Sequence, residues 1–246
     1  MRYAIISDVH ANPAALEKVL ADSARYGVEK VICAGDVVGY GPDPVGTIRI
    51  LRERNIPVVM GNHDAAVAGW RDTDGMIGHA RDTDMIHREE LGEDELDWLN
   101  GLQYVYEGEN FAVAHANFVN PQMMSYICCK DRARPSFFRR SERILFVGHT
   151  HAEALFAFGI ASDPHFPDCI MCEPRDFRAV DGWQYLINVG SVGYPRVKDY
   201  SSYVLYDSAT GDVLFRRVAF DFAGYVAALR AKSIPIPDWL TGKWNG

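Results

Sequence analysis

Five short apolar runs in this chain end in side chains that can bind metal ions, and no other feature constrains the fold as tightly. Tyr3–Ile6 runs into Ser7-Asp8-Val9-His10, and Lys30–Ala34 into Gly35-Asp36. Ile56–Met60 runs into Gly61-Asn62-His63-Asp64, Phe111–Ala114 into His115-Ala116-Asn117, and Ile144–Val147 into Gly148-His149-Thr150-His151. An apolar run of this length bounded by turn residues reads as a buried strand. Carboxylates, imidazoles and an amide are a poor end to a core element and a good way to hold ligands at the rim of a sheet. Five of the 8 histidines fall on these ends.

Helices fill the gaps. Asn12-Pro13 predicts a helix start, with Asn12 as N-cap and Pro13 in the first turn. Ala15, Leu16, Val19 and Leu20 recur at helical spacing and Gly27 closes the helix. A second helix is expected over Val45–Arg54. The first 64 residues therefore read strand, helix, strand, helix, strand, which predicts a parallel sheet with right-handed crossovers. Ligands of such sheets gather beyond the carboxyl ends of the strands. Residues 65–100 read as helical, with pieces at Ala65–Trp70 and Gly92–Leu99. Further strands are expected at Tyr185–Val189, Tyr203–Tyr206 and Val213–Val218, the last two joined as a hairpin through Ser208–Gly211. A helix over Phe222–Lys232 and a tail that docks on the body complete the chain. With 246 residues, 48% of them hydrophobic, one α/β domain over 1–246 is expected.

Asp8 and His10 are two apart, as are His149 and His151, so in extended segments each pair would face one way. Oxygen and imidazole donors without thiolate suit Mn²⁺, Fe, Zn²⁺ or Ni²⁺ better than Ca²⁺ alone. Any one of these ends could be an ordinary polar strand terminus. Five of them together are a site.

In order and spacing, Asp8-x-His10, Gly35-Asp36-x-x-Gly39, Gly61-Asn62-His63-Asp64, His115 and Gly148-His149-x-His151 resemble the calcineurin-like metallophosphoesterase superfamily. Gly39-Tyr40-Gly41-Pro42 is similar to its small bacterial and archaeal phosphodiesterases of the diadenosine-tetraphosphatase-like kind. Asn188-Val189-Gly190-Ser191 resembles that family's Asn-Pro-Gly-Ser, with Val189 in place of Pro. The resemblance implies a four-layer α/β/β/α sandwich of two mixed sheets flanked by helices, with two divalent metal ions at one edge, manganese favoured. It implies Asp8, His10 and His151 on the first ion, Asn62, His115 and His149 on the second, and Asp36 bridging. The expected function is hydrolysis of phosphodiester or phosphoanhydride bonds in a small phosphorylated substrate, a nucleotide. Two ions sharing a water would supply hydroxide near neutral pH. His63 would protonate the leaving oxygen or stabilise its negative charge. Asp64 would orient His63 or raise its pKa, or else cap the helix from Ala65.

Other features read two ways. Asn12 could touch substrate or only cap its helix. Tyr40 could stack on a base or only shape a turn. Arg196 suits a phosphate or the open surface. The basic run 130–143, with Phe137 and Phe138, could bind a nucleotide or single strand, and reads better as a solvated amphipathic face. Cys169-x-x-Cys172 has no second pair at zinc-finger spacing. Residues 155–184 are expected as an excursion beside the site that shapes substrate choice or makes a dimer contact in a homo-oligomer.

A net charge of −8 argues against a partner as long as extended nucleic acid. A nuclease acting on single strands and a non-catalytic protein-binding scaffold of the same fold are the alternatives. Met1-Arg2-Tyr3 leads straight into a strand, no apolar run is long enough for a membrane span, and the 5 cysteines form no framework. No membrane partner and a cytoplasmic location are therefore expected.

Overall fold

The computed structural model describes residues 1–71, 76, 78–159, 169–196, 199–219 and 221–236. The elements run β1 (Arg2–Ile6), α1 (Pro13–Ala24), β2 (Lys30–Cys33), α2 (Pro44–Glu53), α3 (Asn62–Ala68), α4 (Gly78–Glu90), α5 (Glu93–Asn100), β3 (Val105–Glu107) and β4 (Phe111–Ala114). After these come α6 (Lys130–Arg139), β5 (Ile144–Val147), β6 (Glu153–Gly159), β7 (Cys169–Cys172), β8 (Phe177–Arg178), β9 (Trp183–Val189), β10 (Tyr200–Asp207), β11 (Asp212–Ala219) and α7 (Phe222–Ala231).

Two mixed sheets result, in the orders β2-β1-β10-β11-β8 and β3-β4-β5-β9-β6-β7. The period of two sorts side chains into layers. In β1, Ala4 and Ile6 face a core shared with α1 and α2, while Ile5 faces the other sheet. In β4, Phe111 and Val113 meet Ile5 between the sheets, and Ala112 and Ala114 turn to the core under α6. The same split recurs in β5, β9 and β10, giving a four-layer α/β/β/α sandwich. Strands covered on both faces read as continuous apolar runs rather than alternating ones.

The Ile56–Met60 run is an exception. It makes only isolated bridges, Cys33 to Val58 and Val59 to Gln103, beside β2. Cys33 N–H donates to Pro57 O and Val59 N–H to Cys33 O, and Pro57 has no N–H with which to extend a ladder. Residues 155–184 also differ from expectation. β6 and β7 pair in the second sheet and β8 edges the first, so the described part is sheet rather than an excursion. Phe156 and Phe158 are buried there, and Phe177 and Trp183 pack on the inter-sheet core, so they form no aromatic patch. Phe166 and the tail 237–246 lie outside the described residues. Among the described residues no helix is long and apolar enough to cross a membrane.

Candidate functional site

Loops beyond the strands go on pairing and draw the two sheets' ends together. Asp8 N–H donates to Gly35 O (2.9 Å), His10 N–H to Asp36 O (2.9 Å) and Ala11 N–H to Val37 O (2.7 Å). The loop after β9 joins through Val192 N–H to Ser7 O and Gly193 N–H to Asp8 O, both 2.9 Å. Gly148 N–H donates to His115 O (2.8 Å), tying the ends of β4 and β5. Asn188 supports the same corner, since its Nδ2 donates to Gly148 O and to Thr150 Oγ1.

These ends are not extended, which corrects the alternation argument. Asp8, His10, Asp36, His149 and His151 all have positive φ, between 47° and 69°. Left-handed backbone at non-glycine residues costs on the order of 1–3 kcal/mol each and persists only where the surroundings over-determine it. Here the turn, not the pleat, aims the side chains at one place.

Two buried clusters form. Asp8, His10, Asp36 and His151 make one, and Asp36, His115 and His149 the other, each with donor atoms within 4.8 Å of one another. His10 Nε2 lies 3.0 Å from His151 Nε2, and His151 Nε2 lies 3.2 Å from Asp8 Oδ1. His115 Nε2 lies 3.2 Å from Asp36 Oδ2, 3.1 Å from Asn62 Oδ1 and 3.1 Å from His149 Nδ1. Each carboxylate commits one oxygen to the backbone: Asp8 Oδ2 accepts from His149 N–H and Asp36 Oδ1 from His63 N–H, both at 3.0 Å. The other oxygen turns into the cluster. A Cβ on Gly61 would strike Asp36 Oδ1, so only glycine lets the α3 loop approach so closely.

The donor chemistry asks for cations. The Nδ1–H groups of His10, His151 and His115 donate to the carbonyls of Val38 (2.9 Å), Tyr194 (2.7 Å) and Ala34 (2.7 Å). Such bonds fix the tautomer and leave Nε2 as a lone pair. Two imidazole lone pairs 3.0 Å apart repel unless a positive charge sits between them. Asp8 Oδ1 is buried without a hydrogen-bond partner, as such a site requires. Burial would raise the Asp36 pKa, but His115 and His63 outweigh it and hold it below the usual carboxylate range. Burial pulls His115 down, yet Asp36 lifts it to about 9. The carboxylates thus draw in positive charge, which a proton on His115 or a divalent ion can supply.

His63 stands at the edge of the clusters. Its Nδ1 donates to Asp84 Oδ1 at 2.7 Å. Burial lowers the His63 pKa, but Asp84 and Asp36 outweigh it and bring it to about 9. Asp64 adds a smaller upward pull on the His63 pKa and makes no hydrogen bond to its ring; its main role is the expected alternative, a cap. Its carboxylate accepts N–H bonds from Asp36 (2.8 Å), Val37 (2.8 Å), Val38 (3.2 Å) and Gly61 (3.0 Å). It therefore reaches back to the N-terminus of α3, as a third helical residue can, and fixes the Asp36 loop. At φ +82°, Gly39 leaves the space where a Cβ would meet His63 Nδ1 and Asp84 Oδ1.

Asp84 lies on α4, as does a second residue the sequence did not single out, His87. His87 Nδ1 accepts from Gly39 N–H and its Nε2–H donates to Gly41 O, both at 2.9 Å. Thr83 Oγ1 accepts from Tyr40 N–H at 3.1 Å. Ala80, Thr83, Asp84 and His87 are the buried face of α4, a stripe at helical spacing made mostly of polar side chains. Hydrophobic periodicity is blind to it. The spacing 80, 83, 84, 87 was the available signal.

A cavity of about 350 Å³ opens above the clusters, lined by Asp36, Asn62, His63, His149, His151, Tyr40, Arg71, Met76, Ala80, Met124, Tyr126 and Arg196. Arg196 is therefore at the site. Tyr40 is buried, with its ring stacked on Tyr194 at 4.2 Å and 4°, so it is not an open platform for a base. Asn12 is a cap: its Oδ1 accepts from Ala15 N–H and its Nδ2 donates to Gly193 O, away from the cavity wall. In the basic run, Arg140 pairs with Glu142 and Glu107, and Arg143 with Asp181. Ala133, Ser136 and Phe137 bury one face of α6, as an amphipathic covering helix should. Cys169 and Cys172 are three apart on a strand and so point to opposite faces.

The calcineurin-like phosphoesterase superfamily domain matches residues 1–211. A metallophosphoesterase structure from Sphaerobacter thermophilus is 31% identical, with a TM-score of 0.82, over 98% of this chain and 97% of that one. A structure of the hypothetical protein PH1004 from Pyrococcus horikoshii is 17% identical, with a TM-score of 0.76 over 98% and 96%, and shows the shared fold. An uncharacterized protein of Methanocaldococcus jannaschii is 29% identical over 243 residues, 96% of this chain and 94% of the relative. The chain belongs to the calcineurin-like phosphoesterase superfamily and is a metallophosphoesterase.

Proposed function

We propose that the protein hydrolyses a phosphodiester or phosphoanhydride bond of a small phosphorylated molecule, a nucleotide, using two divalent ions, with manganese favoured. The observation that carries this reading is the pair of buried clusters that share Asp36 beneath a cavity edged by His63. Asp8, His10 and His151 would hold one ion, Asn62, His115 and His149 the other, and Asp36 both. When bound, such ions lower the pKa of a shared water and offset charge on phosphate oxygens.

The chain's own residues then do three things. Backbone N–H bonds to Asp8 Oδ2 and Asp36 Oδ1 fix the ligand oxygens before substrate arrives. Asp64 clamps the Asp36 loop so that the two clusters keep their shared corner. His63 donates Nδ1–H to Asp84, which leaves its other nitrogen for the cavity. The Asp84 carboxylate against Nδ1 favours the protonated form of His63. As the P–O bond breaks, that proton passes to the leaving oxygen. A cytoplasmic setting fits the free cysteines, Cys33, Cys128, Cys129, Cys169 and Cys172.

A nuclease has less support, because the arginines of 130–143 that the structure pairs are neutralised by carboxylates, and none lines the described cavity wall. The test is hydrolysis of a generic aryl phosphodiester and its monoester by metal-stripped protein with Mn²⁺ restored. Diester turnover that requires metal supports the proposal. Ion-bound protein that cleaves neither ester contradicts it.

A further inference from the structure

The floor of the cavity explains the chemistry but not its three outer residues. Tyr126 lies face to face with His149, ring centroids 3.9 Å apart and planes 22° apart, yet it stays 51% exposed on the cavity wall. One ring face is committed to a cluster residue, and half the side chain remains for something else. Arg71 and Arg196 lie on the same wall, in a chain of net charge −8. Met76, Ala80 and Met124 line the space with them and bring no further charge. The two guanidiniums are more positive charge than one phosphate on two divalent ions needs. An aromatic face beside apolar side chains suits a flat ring.

We propose that Tyr126, Arg71 and Arg196 form a second part of the binding site, which takes a nucleoside diphosphate group: the base on Tyr126, and the phosphate beyond the scissile one on the arginines. The assignment rests on the phosphohydrolase reading for which phosphate is scissile, but not for binding. Tyr126 supplies the stacking surface that Tyr40, covered by Tyr194, does not. Guanidiniums bind phosphate oxygens bidentately and by charge, so a phosphate beyond the scissile one gains contacts that a monophosphate cannot make. Aromatic stacking tolerates every base, so selectivity among bases is expected to be low.

Calorimetric binding of adenosine diphosphate, adenosine monophosphate and ribose phosphate to the full-length chain in Mn²⁺ tests this, with Tyr126→Ala, Tyr126→Phe and the pair Arg71→Ala, Arg196→Ala. Tyr126→Ala should weaken the adenosine ligands roughly ten-fold or more and ribose phosphate far less, while Tyr126→Phe restores the adenosine preference. The arginine pair should remove most of the preference for diphosphate over monophosphate. Equal weakening of adenosine monophosphate and ribose phosphate in Tyr126→Ala would show that Tyr126 only supports His149, and would overturn the assignment. So would wild-type protein that binds ribose phosphate as tightly as adenosine monophosphate. Binding with these preferences but no turnover of any ester would instead sink the phosphohydrolase reading and leave the subsite standing.

Discussion

The floor and the wall of the cavity are built in opposite ways. The floor consists of buried loop ends, and the side chains of Asp8, His10, Asp36, His115 and His151 each have a backbone partner, such as His10 on Val38 O and Asp8 on His149 N–H. At Asp8, His10, Asp36, His149 and His151 its backbone is left-handed, and loop-to-loop hydrogen bonds hold it. The wall comes from α4 and from the side chains of Arg71, Tyr126 and Arg196, which are exposed. A floor of this kind fixes a reaction, and a wall of this kind fixes which molecule undergoes it.

Five substitutions, and a pH series on a sixth, test that division, from the largest expected effect to the smallest. Asp36→Asn removes the oxygen shared by both clusters. Bound Mn²⁺ should fall below two ions per chain and turnover should drop below detection, as metal analysis and ester hydrolysis would show. His63→Gln should keep both ions and lose about 10²–10⁴-fold in kcat, the usual share of a general acid. Loss of metal in this variant would move His63 from the wall's edge to the floor. Asp84→Asn keeps the shape and removes the charge behind His63. A fall of roughly 10–100-fold is expected, smaller than for His63→Gln, with KM little altered.

His87 gives a stability prediction that rests mainly on burial. Burial pushes its pKa down to about 4, although Gly41 O pulls the other way. The unfolded chain binds this proton near pH 6.5 and the folded chain does not. Stability from His87 is thus intact above about pH 6.5 and lost as the pH falls toward about 4, on the order of 3 kcal/mol in all. Denaturant midpoints across that window should be less steep with pH in His87→Gln. An unchanged slope would mean that other groups set the acid limit. The smallest effect belongs to α6: Arg132→Ala and Arg139→Ala should change turnover by less than roughly two-fold. A larger loss would revive the single-strand reading.

The floor was legible in the sequence because each ligand follows an apolar run, and strands buried on both faces print as unbroken apolar runs. The layers followed from the same runs. The reason for the convergence was not legible, since positive φ at Asp8 or His149 leaves no mark that alternation can read. Ile56–Met60 looked like a strand, but Pro57 keeps it to bridges. The wall hid for a different reason. Asp84 and His87 sit on a buried helix face that is polar, so they look like solvent-facing charge until α4 is seen gripping residues 39–41. Of the two roles open to Asp64 in the sequence, the cap is the one it fills, and the bond to the His63 ring falls to Asp84, because neighbours in sequence at the start of a helix point to different faces.

The central claim is that one carboxylate, Asp36, holds two ions. Equilibrium dialysis of metal-stripped wild type and Asp36→Asn against Mn²⁺, with bound metal counted per chain, tests it most directly. The account predicts two tightly bound ions in the wild type and weakened binding at both sites in Asp36→Asn. A wild type that holds no tight ion, or an Asp36→Asn variant that still holds two, would contradict it.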